Sequence, residues 1–412
     1  QSSAVLTMDG RGEGVTTSYG QFRNGEYTRL KQIRMPHSLG LLYEEVTQYL
    51  GFLRASDEYK VMALASYGKP DLLAEFRDIL RLEEDGGFSL QPARLVERFG
   101  PARRRGETLQ PHHLNIASSL QKVLEETVLH MAGWLHRRTG ERNLCMAGGV
   151  ALNCVMNSRI ARDGPFENVW VQPAAGDAGT ALGAALYVDD FHGPHRGARW
   201  TMTRADLGPS FSDENIERDL DRAHLKYRRE PDIATAAAEL LAAGKIIAWF
   251  QGRMEFGPRA LGHRSILASP MDADMQGRLN WLKDREDFRP VAPAVIEECA
   301  HEWFDAGAKS SIAAPFMLFV YDVLPRRAGL IPAVRHTDGT ARIQTVRREQ
   351  NPLYYDLLRA FQDRTGVPVL VNTSFNTRSR PIVCTPRDAL EAFFTSPLDA
   401  LAIGSFLVEK SE

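Results

Sequence analysis

Apolar residues cluster into strand-like runs at Ala4–Met8 and Val15–Tyr19, separated by the glycine-rich turn Asp9-Gly10-Arg11-Gly12-Glu13-Gly14. From Ser38 to Leu50 the spacing changes. Leu39, Leu42, Tyr43, Val46 and Leu50 recur at helical intervals, with Gly51 as the stop. Ile116, Leu120, Val123, Leu124, Val128, Met131 and Leu135 predict a long buried helix ending at Gly140. A strand at Leu144–Ala147, the pair Gly148-Gly149, a helix through Ile160, a strand at Val169–Val171 and a helix at Thr180–Tyr187 follow.

The second half repeats this alternation. It predicts a helix over Ile233–Ala243 stopped by Gly244, then strands at Lys245–Phe250 and Phe316–Val320. A helix at Pro352–Thr365, a strand at Val367–Val371, a helix at Pro386–Thr395 and short strands at Leu401–Ile403 and Phe406–Val408 complete it. Both halves therefore read as α/β. Between them, Asp189, Asp190, Gly193, Pro194, Gly197, Gly208, Pro209 and Ser210 break all periodicity, which places a boundary between domains 1–200 and 201–412. Residues 83–111 read as a surface insertion, with Arg103-Arg104-Arg105 as a solvated face.

Composition narrows the function classes. The 412 residues carry 50 Lys+Arg against 52 Asp+Glu, a balance that gives no support to nucleic-acid binding through a basic surface. Apolar runs such as Ile246–Phe250 fall far short of a membrane span. Cys145, Cys154, Cys299 and Cys384 form no CxxC pair, and they read as reduced thiols of a cytoplasmic protein.

In the first half, Asp9-Gly10 reads either as a tight hairpin turn or as a carboxylate placed to hold a metal. Gly148-Gly149 joins a strand to a helix start, where backbone amides can face a nucleotide phosphate, and Gly176-Asp177-Ala178-Gly179 repeats the device. The alternative is a set of close-packed turns. His37 and Asp57-Glu58-Tyr59-Lys60 fit a structural histidine and an exposed helix start.

In the second half, Gly252-Arg253-Met254-Glu255-Phe256-Gly257-Pro258-Arg259-Ala260-Leu261-Gly262-His263-Arg264-Ser265 follows a buried strand. Lys283, Arg285 and Arg289 come next, then His336, Asp338, Thr340, Arg342 and Gln344, then Asn372-Thr373-Ser374-Phe375-Asn376. Guanidinium forks match phosphate and carboxylate geometry. With the overall charge near zero, these cations must be local and aimed at a small phosphate-bearing anion.

The stretches at 252–265, 283–290, 336–344 and 372–376 resemble the O-carbamoyltransferases, a family that includes antibiotic-tailoring and nodulation-factor enzymes. The resemblance runs over nearly the whole chain. It implies an actin-like ATPase-fold module, incomplete at its N-terminus, followed by a YrdC-like α/β module. In such enzymes the second module forms a carbamoyl adenylate from carbamoyl phosphate and ATP. The first transfers the carbamoyl group to a hydroxyl of a small natural product. The resemblance assigns adenylation to Lys283, Arg289 and Arg342. It gives substrate contacts to Arg259, Arg264, Arg285, His336, Ser374 and Asn376, a nucleotide loop to Gly148, Gly149 and Asn153, and metal ligands to Asp9 and Asp177. The implied cofactors are ATP with Mg2+, and iron or zinc in the first module. The expected partners are carbamoyl phosphate and the acceptor, without nucleic acid or membrane. A homodimer is left open, as are two rivals: threonylcarbamoyl transfer to tRNA and a non-catalytic nucleotide-binding scaffold.

Two departures from the family stand out. Its His-x-x-x-His metal pair is absent upstream of Ala4–Met8, and Ser379-Arg380-Pro381 replaces a Gly-Glu before Pro-Ile-Val. Two carboxylates without imidazole suit hard ions better than iron or zinc. The abrupt opening at Gln1 leads to the expectation that this chain is the remainder of a longer one.

Overall fold

The computed structural model describes residues 2–192, 201–307, 312–377 and 380–410. Gly193, Pro194, Gly197 and Ser379 lie outside the described residues. The chain divides into two compact units, Gln1–Gly197 and Ala198–Glu412.

The first unit is built on a five-stranded sheet in the order Glu26–Arg34, Val15–Arg23, Ser3–Gly12, Asn143–Ala147, Asn168–Val171. The first three strands form an antiparallel meander, and the last two join Ser3–Gly12 in parallel. The predicted strand Ala4–Met8 runs on through a bulge to Gly12, where it pairs with Val15. The ladder thus absorbs most of the expected glycine-rich turn, and Asp9 sits within the irregular stretch instead of after it. The long helix Pro111–Thr139 carries Pro at its first position, where the missing N–H costs nothing. It ends at Gly140 with φ +65°, in the left-handed region. Ile116, Val128, Met131 and Leu135 on it are fully buried.

Two expectations fail on contacts made at a distance. Arg103 is buried, not solvated: its Nε donates to Leu50 O at 2.6 Å and its guanidinium lies 4.9 Å from the Phe52 ring. The irregular 83–111 stretch also holds a strand, Phe88–Leu90, and a short helix, Leu95–Phe99. His37 is structural, its Nδ1 accepting from Leu90 N at 3.0 Å.

The second unit holds an eight-stranded mixed sheet. Its order is Gln344–Val346, Ala292–Ile296, Val369–Ser374, Arg264–Ala268, Ile247–Phe250, Ala400–Ile403, Phe406–Glu409, Arg228–Arg229. Ile247–Phe250 and Arg264–Ala268 are buried at every position, as strands covered on both faces must be. The strand expected at Phe316–Val320 instead spans Val320–Asp322, because Met317 has φ +55° and cannot continue an extended run. The strand expected to end at Val371 runs to Ser374, because its ladder with Arg264–Ala268 extends that far.

Candidate functional site

The ladders of the second unit decide where its polar motifs go. Arg264 faces Phe250, Ser265 faces Ser374, Ala292 faces Asn372 and Ala294 faces Gln344. The strand ends at Phe250 and Ser374, and the strand starts at Arg264, Ala292 and Gln344, therefore share one end of the sheet. All the basic and polar stretches singled out in the second half of the sequence leave or enter the sheet at that end.

Lys283 follows the helix Met275–Leu282 and is buried. Its Nζ donates to Ser374 O, to Ser374 Oγ at 3.1 Å and to Asn376 Oδ1 at 2.8 Å. Ser374 Oγ in turn donates to Asn376 Oδ1 at 2.6 Å. The lysine is thus aimed by neutral acceptors, with no carboxylate among these bonds. Burial lowers its pKa well below the usual lysine range, and the Arg285 and Arg289 guanidinium groups push the same way. The segment that carries these two arginines is fixed by Asn280, which is fully buried. Asn280 donates to Asp287 O at 2.9 Å and Arg289 O at 3.0 Å, and accepts from Arg285 Nε at 2.6 Å.

His336 and Arg342 flank a turn closed by Asp338 and Thr340, whose side chains bond at 2.8 Å. His336 Nδ1 lies 3.3 Å from Thr340 Oγ1. Burial pushes the imidazole well below its ordinary range, Asp338 opposes this and Arg342 adds to it, so His336 is neutral at pH 7. Arg342 Nε is buried without a hydrogen-bond partner. The absence of a partner holds among the described residues, and Arg264 Nε shares it.

Arg264 has a different position from the one its motif suggested. It is 0% exposed, stacks 3.6 Å from the Phe250 ring centroid and donates through Nη1 to the carbonyls of Gln251, Gly252 and His263. This geometry makes it a scaffold of the loop. Arg259, five residues earlier, precedes Ala260, whose carbonyl accepts from Asn372 Nδ2 at 3.2 Å.

In the first unit, the Asp9 and Gly148-Gly149 segments meet. Asp9 Oδ1 accepts from Gly10 N at 2.8 Å and Gly149 N at 3.3 Å. Gly148 has φ +93°, and a Cβ there would lie 2.0 Å from Met8 O, so only glycine permits this approach. Asn153 serves as the cap of the helix Cys154–Asp163, accepting from Met156 N at 3.0 Å, and donates to Gln121 Oε1 at 2.8 Å. Asp177 is exposed at the turn before the helix Ala178–His192.

Comparison with known proteins fits both units. Residues 1–186 match the family model "Carbamoyltransferase N-terminus", and residues 238–410 match "Carbamoyltransferase C-terminus". The uncharacterised protein sll1178 of Synechocystis is 42% identical over 99% of this chain and 73% of its own length. Nodulation protein NolO of Bradyrhizobium diazoefficiens is 42% identical over 100% of this chain and 76% of its own. The chain belongs to the carbamoyltransferase family. It is accordingly a transferase enzyme. Nodulation protein NolNO of Sinorhizobium fredii is also 42% identical, with 61% of its length covered. Among solved structures, phosphate- and nucleotide-bound HypF aligns with a TM-score of 0.29 at 16% identity, over 44% of this chain and 22% of its own, too little overlap to build on.

The two metal ligands that the resemblance implies, Asp9 and Asp177, are both carboxylates, a donor type that favours harder ions than iron or zinc. Among the described residues, no three His, Cys, Asp or Glu side chains come together as a metal-holding group. Asp9 and Asp177 alone offer hard oxygen donors, and one Asp9 oxygen is already bonded to two backbone N–H groups. No step is derived through a metal. Also among the described residues, no helix is long and apolar enough to cross a membrane.

Nothing in the sequence marked Asn280 as a site-building residue, and its polar stretches held Asn372, Gln344 and Glu255 without showing what they bond. Asn372 Nδ2 donates to Gln344 Oε1 at 2.8 Å, and Gln344 Nε2 to Leu261 O at 2.8 Å. The available signal was a polar residue inside an otherwise apolar strand, as at Asn372 and Gln344. A small open cleft of about 40 Å3 lies against this network, lined by Arg204, Asp206, Glu255, His263 and Asn351 among others.

The lowered pKa of Lys283 gives a signed prediction. A phosphate anion beside Nζ favours the charged form and raises the lysine's pKa, so binding takes up protons at pH values between its free and bound pKa. Affinity for inorganic pyrophosphate is expected to fall as pH rises above the lysine's pKa in the free protein. Calorimetry in buffers of different ionisation enthalpy checks this, and proton release on binding refutes it.

Proposed function

We propose that the second unit activates a carbamoyl group and that the first hands it to a hydroxyl of a small natural product. Atoms balance in three steps. Water releases inorganic phosphate from carbamoyl phosphate, leaving carbamate. A carbamate oxygen attacks the α-phosphorus of ATP, and pyrophosphate leaves. The acceptor hydroxyl oxygen then attacks the carbamoyl carbon, its proton is lost to solvent, and AMP leaves.

The observation that carries this reading is the gathering of separate cationic stretches at one end of a single sheet. Carbamoyl phosphate and ATP both bear dense negative charge, and preorganised donors aimed at phosphoryl oxygens are the main aid a protein gives to such chemistry. Lys283 supplies a point charge fixed by Ser374 and Asn376, while Arg342 supplies an unpaired N–H. Arg285 and Arg289 lie close enough to Lys283 to depress its pKa, and on this reading their charge is met by the bound phosphates. His336, neutral beside Arg342, fits a hydrogen-bonding role toward the carbamoyl group. ATP is a substrate here and brings Mg2+ as its usual counterion.

The test is AMP formation that depends on carbamoyl phosphate. Arg342→Ala is expected to lower it by about 10²–10³-fold, the cost of removing one preorganised donor. Undiminished AMP formation in that variant removes Arg342 from the site. Absence of AMP formation in the parent removes the proposed reaction.

A further inference from the structure

Inside the 252–265 stretch, one side chain does something its neighbours do not. Glu255 is 5% exposed, and its Oε1 accepts from three backbone N–H groups: Leu261 at 2.7 Å, His263 at 2.9 Å and Arg264 at 3.1 Å. Three converging N–H groups form the kind of concavity in which proteins bind anions. Here the chain fills it with its own carboxylate. The other backbone groups of the same turn are also tied. Gly262 N donates to Ser265 Oγ at 3.1 Å, Gly262 O accepts from Trp249 Nε1 at 3.0 Å, and Leu261 O accepts from Gln344. Gly262 adopts φ +93°, and a Cβ there would lie 2.3 Å from the Tyr354 ring, so the turn is packed against that ring without slack.

We infer that Glu255 is a positioning residue, a built-in anion that holds residues 261–264 in one shape and closes on itself the loop 255–264, the segment that carries Arg259. Without it, three buried N–H groups lose their acceptor together. Leaving three buried donors unsatisfied at once is costly enough to reshape a short turn. Among the described residues, Glu255 Oε2 is buried and has no hydrogen-bond partner, so the carboxylate's bonds to the turn all run through Oε1. The effect on turnover rests on the reaction proposed above; the filled concavity does not.

The experiment uses the full chain and reads two quantities: exchange of individual amide hydrogens and AMP formation from carbamoyl phosphate and ATP. In Glu255→Ala, the amides of Leu261, His263 and Arg264 are expected to exchange at least about tenfold faster, as loss of a buried bond implies. AMP formation is expected to fall about 10²-fold, the scale of a small misplacement of a substrate-holding group. Added formate, a free carboxylate small enough for the vacated space, is expected to restore both. Glu255→Gln keeps an acceptor oxygen and should remain within about threefold of the parent in exchange. In an Arg259→Ala background, Glu255→Ala should add little to the loss of AMP formation, because the group it positions is gone. Amides as protected in Glu255→Ala as in the parent overturn the built-in anion. Open amides with parental AMP formation, or a full additional loss in the Arg259→Ala background, overturn the positioning role. A parent that forms no AMP refutes the proposed reaction and with it the effect of Glu255 on turnover; amide exchange with and without formate still decides whether Glu255 fills the turn.

Discussion

Replacing Lys283 with alanine is expected to lower carbamoyl-phosphate-dependent AMP formation by about 10³-fold or more, with little change in the stability of the fold. The rate effect follows from the environment of the ammonium. Nζ is buried and held by Ser374 and Asn376, whose oxygens take all three of its N–H groups, so a phosphoryl oxygen replaces one of these bonds while the charge stays fixed in place. A charge in such a site is screened far less than one in water. The small stability effect follows from the same surroundings. Burial and two neighbouring guanidinium groups already penalise the charged lysine, so its removal relieves a cost. Ser374 Oγ and Asn376 Oδ1 remain bonded to each other at 2.6 Å. Lys283→Arg is not expected to rescue, because a planar fork needs more room than a space shaped for an ammonium. Chromatographic measurement of AMP, beside a thermal melt, checks both halves. AMP formation within about tenfold of the parent would falsify the role given to this lysine.

Arg264→Ala is expected to do the reverse: it should unfold the second unit before it reveals anything about substrate. The guanidinium is 0% exposed and stacked 3.6 Å from the Phe250 ring centroid. It donates to the carbonyls of Gln251, Gly252 and His263 at 3.0, 3.2 and 3.1 Å, and more weakly to Pro209 O and Cys384 O at 3.4 and 3.5 Å. Alanine leaves a large cavity and strips these carbonyls of a shared donor. A loss of about 3–5 kcal/mol is the expected scale for removing such a buried group. For a unit of this size that corresponds to a fall of about 10 °C in melting temperature. Burial lowers the Arg264 pKa to about 10, with Glu255 opposing the shift, so the side chain remains charged at neutral pH and needs those carbonyls. A ligand-binding arginine would behave otherwise, raising KM in a protein that still melts at the parental temperature. Calorimetry that resolves the transition of the second unit distinguishes the two.

These two residues mark where the sequence is informative and where it is not. Lys283 and Arg264 both sit in polar stretches that hold several basic residues, and both were expected to face the substrate, Lys283 in adenylation and Arg264 as a contact. One is turned toward acceptors at the sheet's end, the other inward over an aromatic ring. Which way a long side chain turns depends on what stands opposite it, and Phe250 reaches Arg264 only through the ladder that pairs their strands. Arg103 repeats the lesson: Arg104 and Arg105 are exposed as the run suggests, while Arg103 is buried against Phe52 and the carbonyl of Leu50.

The alternation of strands and helices, the break near residue 200 and the choice of residue types at the strand ends were all legible along the chain. They depend on local periodicity and on turn chemistry, which act over a few neighbours. Asn280 was not legible as part of a site, and the bonds of Gln344 and Asn372 were not legible either, because each acts on backbone that is distant in sequence or hidden inside a turn. Glu255 was least legible of all, since an acid among arginines reads as an ion-pair partner. Its actual bonds go to three backbone N–H groups that converge only once the loop has closed. The sequence by itself determined the family, the α/β class and the supply of cations. The tertiary structure decided which cations face a common space and which are spent on the scaffold, because strand pairing brings together residues that no local pattern relates.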